Sequence, residues 1–309
     1  MQVHTNLAQL PVFKNAVITI GTFDGVHMGH RQIIEELKAE AKAIQGESVI
    51  ITFHPHPRKV VSSTILGIRL INTLQEKIEL LDQLGIDHLV IVPFTDAFAN
   101  QDAEGYVKNF LVDKFQPHTI IIGYDHRFGK ERKGDYLLLE KLAPQFNYRL
   151  KEISQHVLNE ITISSTRIRE ALLEGNLQVA EELLGYHFFF SGVVMHGDKL
   201  GRQLGYPTAN LRVTDEEKIT PANGIYAVYA QLVNSDKQLK GMMSIGFRPT
   251  VDGKKRVIEV NLFDFNEQIY EQTLKVYVKK YLRAEVKFDS LEALVKQIDQ
   301  DKIDSLNIL

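Results

Sequence analysis

The sequence predicts two folded units of different class, a doubly wound α/β unit followed by a small antiparallel β-barrel with a C-terminal helix. Three observations carry this. The chain has 309 residues, more than one ordinary domain needs. Its first half alternates short β-branched apolar runs with amphipathic segments of helical period. Beyond residue 184 that rhythm gives way to strand-like runs separated by turns, with no regular helix between them.

Taken in order, residues 16–20, 48–53, 88–92, 119–122 and 147–153 read as strands. Residues 32–44, 74–84, 104–115 and 136–142 carry apolar side chains at three- and four-residue spacing and read as helices between them. Parallel strands joined by crossover helices make an open, Rossmann-like sheet, with ligands beyond the carboxyl ends of its strands. Residues 166–184 read as one or two helices interrupted near Gly175. We expect the boundary at Tyr186, giving domains of residues 1–185 and 186–309. In the second, residues 188–195, 224–233, 240–245, 256–263 and 274–281 read as barrel strands. Residues 290–301 close the chain as a helix, with Ser290 as N-cap and Leu291, Leu294, Val295 and Ile298 as its apolar stripe.

Composition narrows the chemistry. With 44% hydrophobic and 24% charged residues the chain reads as an ordinary globular protein rather than a disordered one. Its 36 basic and 39 acidic residues leave a net charge of -3, so no overall positive field points to nucleic acid or an acidic membrane surface. The absence of cysteine excludes disulfides, thiolate metal sites and cysteine nucleophiles. The N-terminal residues lack the pattern of a secretory signal and no apolar run is long enough to span a bilayer, so a cytoplasmic location is expected. The expected partners are small molecules, and the expected state is a monomer or weak oligomer.

Chemistry collects at the ends of the predicted strands. The first runs into Gly21-Thr22-Phe23-Asp24-Gly25-Val26-His27-Met28-Gly29-His30, directly before a helix. Strand, glycine loop and helix N-terminus form an anion cradle: the free N–H groups and the positive dipole end attract phosphate, and Gly25 and Gly29 present no Cβ to obstruct it. His27 and His30, three residues apart, share one side of the first helical turn and are candidate donors to phosphate oxygens. Later strand ends bring His54-Pro55-His56, then Asp125-His126-Arg127, then Ser164-Ser165-Thr166-Arg167-Ile168-Arg169. Ser164 and Ser165 can serve as N-caps of a following helix or as phosphate ligands.

These residues resemble the histidine-motif nucleotidyltransferase superfamily, in the glycine-histidine loop and in the Ser-Ser-Thr-x-Ile-Arg segment. The resemblance implies adenylyl transfer from ATP without a covalent intermediate. His27 and His30 would stabilise the phosphates in the transition state, and Arg169 with Ser165 would hold the β- and γ-phosphates. Gly21, Phe23, Asp24, Gly25, Gly29, His54, Pro55, Asp125, Arg127, Ser164 and Thr166 complete the candidate nucleotide-binding set. Asp125 stands where many members carry Asn, and His126 where an aromatic residue is common.

The second unit opens with a glycine-spaced loop: Gly197, Gly201 and Gly205 recur every four residues around Lys199 and Arg202, and Pro207-Thr208-Ala209-Asn210 follows. This matches neither the Walker nor the dinucleotide loop and reads as a phosphate loop of another kind. Thr208 and Asn210 offer two neutral oxygens, as suits a magnesium ion that keeps several waters and shares phosphate ligands. Glu259, within a strand whose polar face is expected to line a cleft, is a candidate general base. The Pro-Thr-Ala-Asn segment and this Glu resemble riboflavin kinases, as do Gly224-Ile225-Tyr226-Ala227, Gly246-Phe247-Arg248-Pro249-Thr250 and Arg283-Ala284-Glu285-Val286-Lys287-Phe288.

Over residues 14–302 the chain therefore looks like the bacterial bifunctional riboflavin kinase and FAD synthetase family. The resemblance implies that Glu259 deprotonates the riboflavin 5′-hydroxyl for attack on ATP, with magnesium on Thr208 and Asn210, and that the FMN phosphate then attacks a second ATP. Arg283 is the candidate for a flavin-side contact, since a guanidinium stacks on aromatic planes and bonds carbonyls. The implied substrates are riboflavin, FMN and ATP.

Overall fold

The computed structural model describes residues 1–61, 69–124, 126–197, 200–250 and 253–309. The chain divides into two compact units, Met1–Ser165 and Thr166–Leu309.

In the first unit, β1 (Gln2–His4), β2 (Val17–Ile20), β3 (Ser48–His54), β4 (His88–Pro93), β5 (Thr119–Gly123) and β6 (Arg149–Ile153) form one parallel sheet. Its order is β1-β4-β3-β2-β5-β6. The central strands are near-continuous β-branched runs because both of their faces are covered; Val17, Ile18, Val49, Ile50, Ile51, Ile120 and Ile121 are fully buried. Beyond the expected strands the sheet contains β1, whose three residues are too few to display a period.

From β2 the chain moves outward to β3 and β4, then returns to the opposite flank of β2 for β5 and β6. The order thus reverses between β2 and β5, which places the ligand crevice beyond their carboxyl ends. The glycine-histidine loop leaves β2 there, and Gly123 closes β5 there.

Helix α1 (Met28–Ala43) begins four residues before its apolar stripe suggests, because His27 itself caps it. Ile33, Ile34, Leu37 and Ala41 form its buried face. The helix Leu74–Gln83 is opened by a capping box, Thr73 Oγ1 accepting from Glu76 N (3.2 Å) and Glu76 accepting from Thr73 N (2.9 Å). The segment after β6 differs from expectation. A single helix, Gln155–Glu174, starts two residues after the strand and contains Ser164 and Ser165 in its interior, so neither serine is an N-cap. Serine favours caps through local side-chain bonds, and that preference yields when the chain continues helical on both sides. Gly175, at φ +76°, ends this helix, and Asn176 caps the next, Leu177–Leu184.

The second unit is a closed antiparallel barrel of β7 (Phe189–Met195), β8 (Ala209–Arg212), β9 (Gly224–Leu232), β10 (Gln238–Thr250), β11 (Gly253–Leu262) and β12 (Thr273–Arg283). Its order is β10-β11-β8-β7-β12-β9. Phe190, Val228, Ala230, Ile245, Val260 and Val276 fill its interior without exposure. Strand β8 lies beyond the expected strands, since the sequence reads Ala209 and Asn210 as the end of a phosphate loop, and its partners β7 and β11 are what make it a strand. The C-terminal helix Leu291–Ile308 is capped by Ser290 as expected, with Ala293 N donating to its Oγ at 3.1 Å.

Candidate active sites

In the first unit the loop between β2 and α1 is shaped by its own residues. Phe23 and Val26 adopt positive φ (48° and 39°), as does Gly25 (93°). A Cβ on Gly25 would sit 3.1 Å from Ile71, and one on Gly21 would sit 3.0 Å from the Phe23 ring. Asp24 is buried, and its Oδ1 accepts from Ile71 N (2.9 Å) and Asn72 N (3.3 Å), which ties the loop to the start of the helix Leu74–Gln83. Thr22 O accepts from Thr52 Oγ1 (3.2 Å) and from the buried Lys77 ammonium (2.5 Å).

The two histidines converge, and both are buried. His27 caps α1 by accepting from His30 N at Nδ1 (3.4 Å), so in its neutral form Nε2 carries the proton; Nε2 lies 2.9 Å from Ser165 Oγ. The rings of His27 and His30 stack with centroids 3.8 Å apart. Burial, then the charges of His27 and Lys77, hold the His30 pKa well below that of free imidazole, so at neutral pH His30 is an uncharged donor rather than a cation. Its Nδ1 has no hydrogen-bond partner among the described residues.

The remaining residues of this candidate set are spread along the same strand ends. His54 is exposed at the end of β3, joined to Pro55 by a cis peptide. Arg127 is exposed, its guanidinium donating to Tyr124 O (3.3 Å) and His126 O (3.2 Å). Burial and the charges of Arg132 and Arg127 depress the neighbouring His126 to about 4. Gly29 lies buried in the first turn of α1. Ser164 is buried and Ser165 half-buried, whereas Thr166 and Arg169 fall in the second unit. Asp125 and Lys199 lie outside the described residues.

In the second unit the register of the barrel assembles the site. Glu259 on β11 stands opposite Asn210 on β8, and Thr208 precedes β8 by one residue. Thr208 Oγ1 donates to Glu259 Oε1 (3.2 Å), and Arg248 of β10 donates to Oε2 (2.5 Å). Because the hydroxyl gives its proton to the carboxylate, its lone pairs are left to face a cation or a ligand. Asn261 pins Pro207 by donating to its carbonyl (2.7 Å).

The glycines of the preceding loop have separate reasons. A Cβ on Gly197 would lie 2.2 Å from Asn210 Nδ2, one on Gly201 would lie 2.4 Å from Tyr206 O, and Gly205 has φ +85°. Arg202 is exposed beside them. Tyr206 donates to Asp299 of the C-terminal helix, which is the first reason its pKa rises to about 12, burial being the second.

Two cavities meet at Thr208. One, of about 400 Å³, is walled by Ile225, Met242, Met243, Leu294 and Ile298, and opens on Glu259, Arg248 and Arg283. The other, of about 60 Å³, is lined by Arg202, Pro207, Val260 and Tyr270. Arg283 borders the larger cavity, but its fork is taken by Asp301 of the C-terminal helix through Nε (2.8 Å) and NH2 (2.6 Å), and its plane lies near Phe288.

Sequence reasoning has Arg248 only within a kinase-like segment, with no role of its own, and misses Asp301 and Lys77. The signal for Lys77 was present: with Leu80, Leu81 and Leu84 it occupies the apolar phase of its helix, where a lysine is out of place. Nothing local marks the roles of Arg248 and Asp301, because their partners are 11 and 18 residues away.

A FAD synthetase family model matches residues 10–167, and a riboflavin kinase family model matches residues 184–309. The bifunctional riboflavin kinase/FMN adenylyltransferase of Buchnera aphidicola is 39% identical over 93% of this chain and 92% of its own length. The Escherichia coli K12 protein of the same description is 37% identical over 96% and 94%. Among solved structures, one described as a macrolide-efflux protein from Streptococcus pneumoniae superposes with TM-score 0.83 at 30% identity, covering 99% of this chain and 98% of that one. Among the described residues here, no helix is long and apolar enough to cross a membrane.

Proposed function

The chain belongs to the family of bifunctional riboflavin kinases/FMN adenylyltransferases, and we propose that its two reactions are carried by the two sites described above. It phosphorylates riboflavin to FMN with ATP and then adenylylates FMN with a second ATP, releasing pyrophosphate. An inactive half, or a flavin sensor without turnover, is not favoured.

The kinase assignment rests on the convergence of Thr208, where two cavities meet, with Glu259 and its cross-strand neighbour Asn210. The larger, mostly apolar cavity takes the flavin ring, and the smaller takes part of ATP. Glu259 accepts the proton of the ribityl 5′-hydroxyl as its oxygen attacks the γ-phosphorus, and the bond to the β-phosphate oxygen breaks to release ADP. Arg248 aims that carboxylate through one oxygen, and Thr208 fixes the other. The neutral oxygens of Thr208 and Asn210 beside a carboxylate suit magnesium, which when bound offsets the phosphate charge. Arg283, with its fork occupied, offers the flavin its plane.

In the adenylyl site the loop of residues 21–30 and the N-terminus of α1 receive the ATP phosphates at the sheet's reversal point. A phosphate oxygen of FMN attacks the α-phosphorus and pyrophosphate leaves, with neutral His30 and the Nε2–H of His27 as donors to the developing charge. The same reading places the domain division at residues 185/186 and the protein in the cytoplasm as a monomer or weak oligomer, acting on small molecules rather than nucleic acid.

Incubation with riboflavin, ATP and magnesium is expected to yield FMN first and FAD later, resolved chromatographically. FAD without prior FMN, or no product from folded protein, would overturn the order or the reading. Gly197→Ala is expected to lower riboflavin phosphorylation about tenfold or more, because its Cβ displaces the Asn210 carboxamide from a magnesium position. Adenylylation should not change, and equal loss of both activities would argue against a local effect.

A further inference from the structure

The buried ammonium of Lys77 has no part in the mechanism above. Its helix, Leu74–Gln83, packs the side chain inward, 7% exposed, against the loop that follows β2. There Nζ donates to Thr22 O at 2.5 Å and approaches Thr52 Oγ1 of β3 at 3.5 Å. Thr22 lies between Gly21 and the positive-φ residue Phe23, so the ammonium is fastened to the backbone of the phosphate loop itself. The charged and titratable groups acting on it are Asp24 from the loop and His30 from α1. Asp24 is in turn committed to the Ile71 and Asn72 amides.

Resting on the reading of this loop as the adenylyl site, we propose that Lys77 is a positioning residue for FMN adenylylation. It fixes Thr22 and supplies, from behind the loop, a positive charge at neutral pH that favours phosphate in front of it and helps keep His30 a neutral donor. A charge held in a low-dielectric interior acts over a longer range than one in water. His30 cannot provide that charge, since burial and its neighbours keep it neutral. The fold has no need of the ammonium, because the Thr52 hydroxyl also satisfies Thr22 O and two backbone amides hold Asp24.

Burial lowers the Lys77 pKa to about 8, with Asp24 opposing the shift. The folded value lies below the unfolded one, so the ammonium costs stability at neutral pH and the cost disappears as pH rises. Activity runs the opposite way: the ammonium is lost as pH climbs through about 8, and adenylylation falls with it.

The test compares wild type with Lys77→Met in the full-length protein, measuring FMN-to-FAD conversion from pH 6.5 to 9.5 with riboflavin phosphorylation as internal control. Wild type is expected to lose kcat/KM for adenylylation above pH 8, approaching tenfold per pH unit, without a matching limb in the kinase reaction. Lys77→Met is expected to lose that basic limb, to adenylylate about tenfold or more slower at pH 7, and to melt no lower than wild type. A purely structural lysine would lower the melting temperature and leave the profile's shape alone. Wild type with no adenylylation limb near pH 8, or folded Lys77→Met within twofold of wild type at pH 7, overturns the proposal. Measuring His30→Ala alongside separates the two failures. If it loses adenylylation while Lys77→Met does not, only the role of Lys77 falls; if His30→Ala is fully active, the adenylyl-site reading falls and the proposal with it.

Discussion

Glu259→Gln is expected to slow FMN formation about 10²- to 10⁴-fold while leaving FMN-to-FAD conversion intact. The amide is nearly the same size, and its oxygen can still accept from Thr208, so barrel geometry should survive. What disappears is the group that takes the 5′-hydroxyl proton, along with the anion that Arg248 holds at 2.5 Å. The loss should appear in kcat more than in the KM for riboflavin, because the apolar walls that bind the ring are untouched. Assaying each half-reaction from its own substrate checks this. Comparable loss of both reactions in folded protein would refute two independent sites, and an unchanged kinase rate would remove Glu259 from the mechanism.

His27→Ala carries the mirror-image expectation: adenylylation down about 10²- to 10³-fold, riboflavin phosphorylation unchanged. Two effects combine in this variant. The ring is the N-cap of α1, so its removal should destabilise the first unit by about 1 kcal/mol, and the donor at Nε2 is lost beside Ser165. His27→Asn separates them, since asparagine caps well but is too short to place a donor where the imidazole Nε2 sits. It should recover most of the stability and little of the rate, as read by thermal melts and FAD formation. Recovery of rate with stability would mean that His27 matters only as a cap.

The glycine-histidine loop was legible from sequence because its chemistry is local: a strand, φ-permissive glycines and a helix start are all encoded within a dozen consecutive residues. Thr208 and Asn210 were legible for the same reason. Their relation to Glu259 was not, because it depends on which residue of β11 faces which residue of β8, and a slip of one would turn Glu259 to the other face. Asp24 illustrates the reverse. The sequence places it among the groups expected to meet the nucleotide, and only the fold shows that its carboxylate also closes the loop onto Ile71 and Asn72, some 47 residues away. Ser165, a cap or a phosphate ligand by sequence, is no cap: it lies inside a helix with its hydroxyl on His27.

The sequence by itself determined the two classes of unit and the loops that handle phosphate. Periodicity, glycine placement and helix starts are set by interactions within a few residues, which any reading along the chain can see. Only the tertiary structure decided the state of the groups inside those loops. It made His30 neutral, engaged Arg283 with Asp301 and buried Lys77 behind the loop, because desolvation and charge pairing depend on partners brought together across tens of residues.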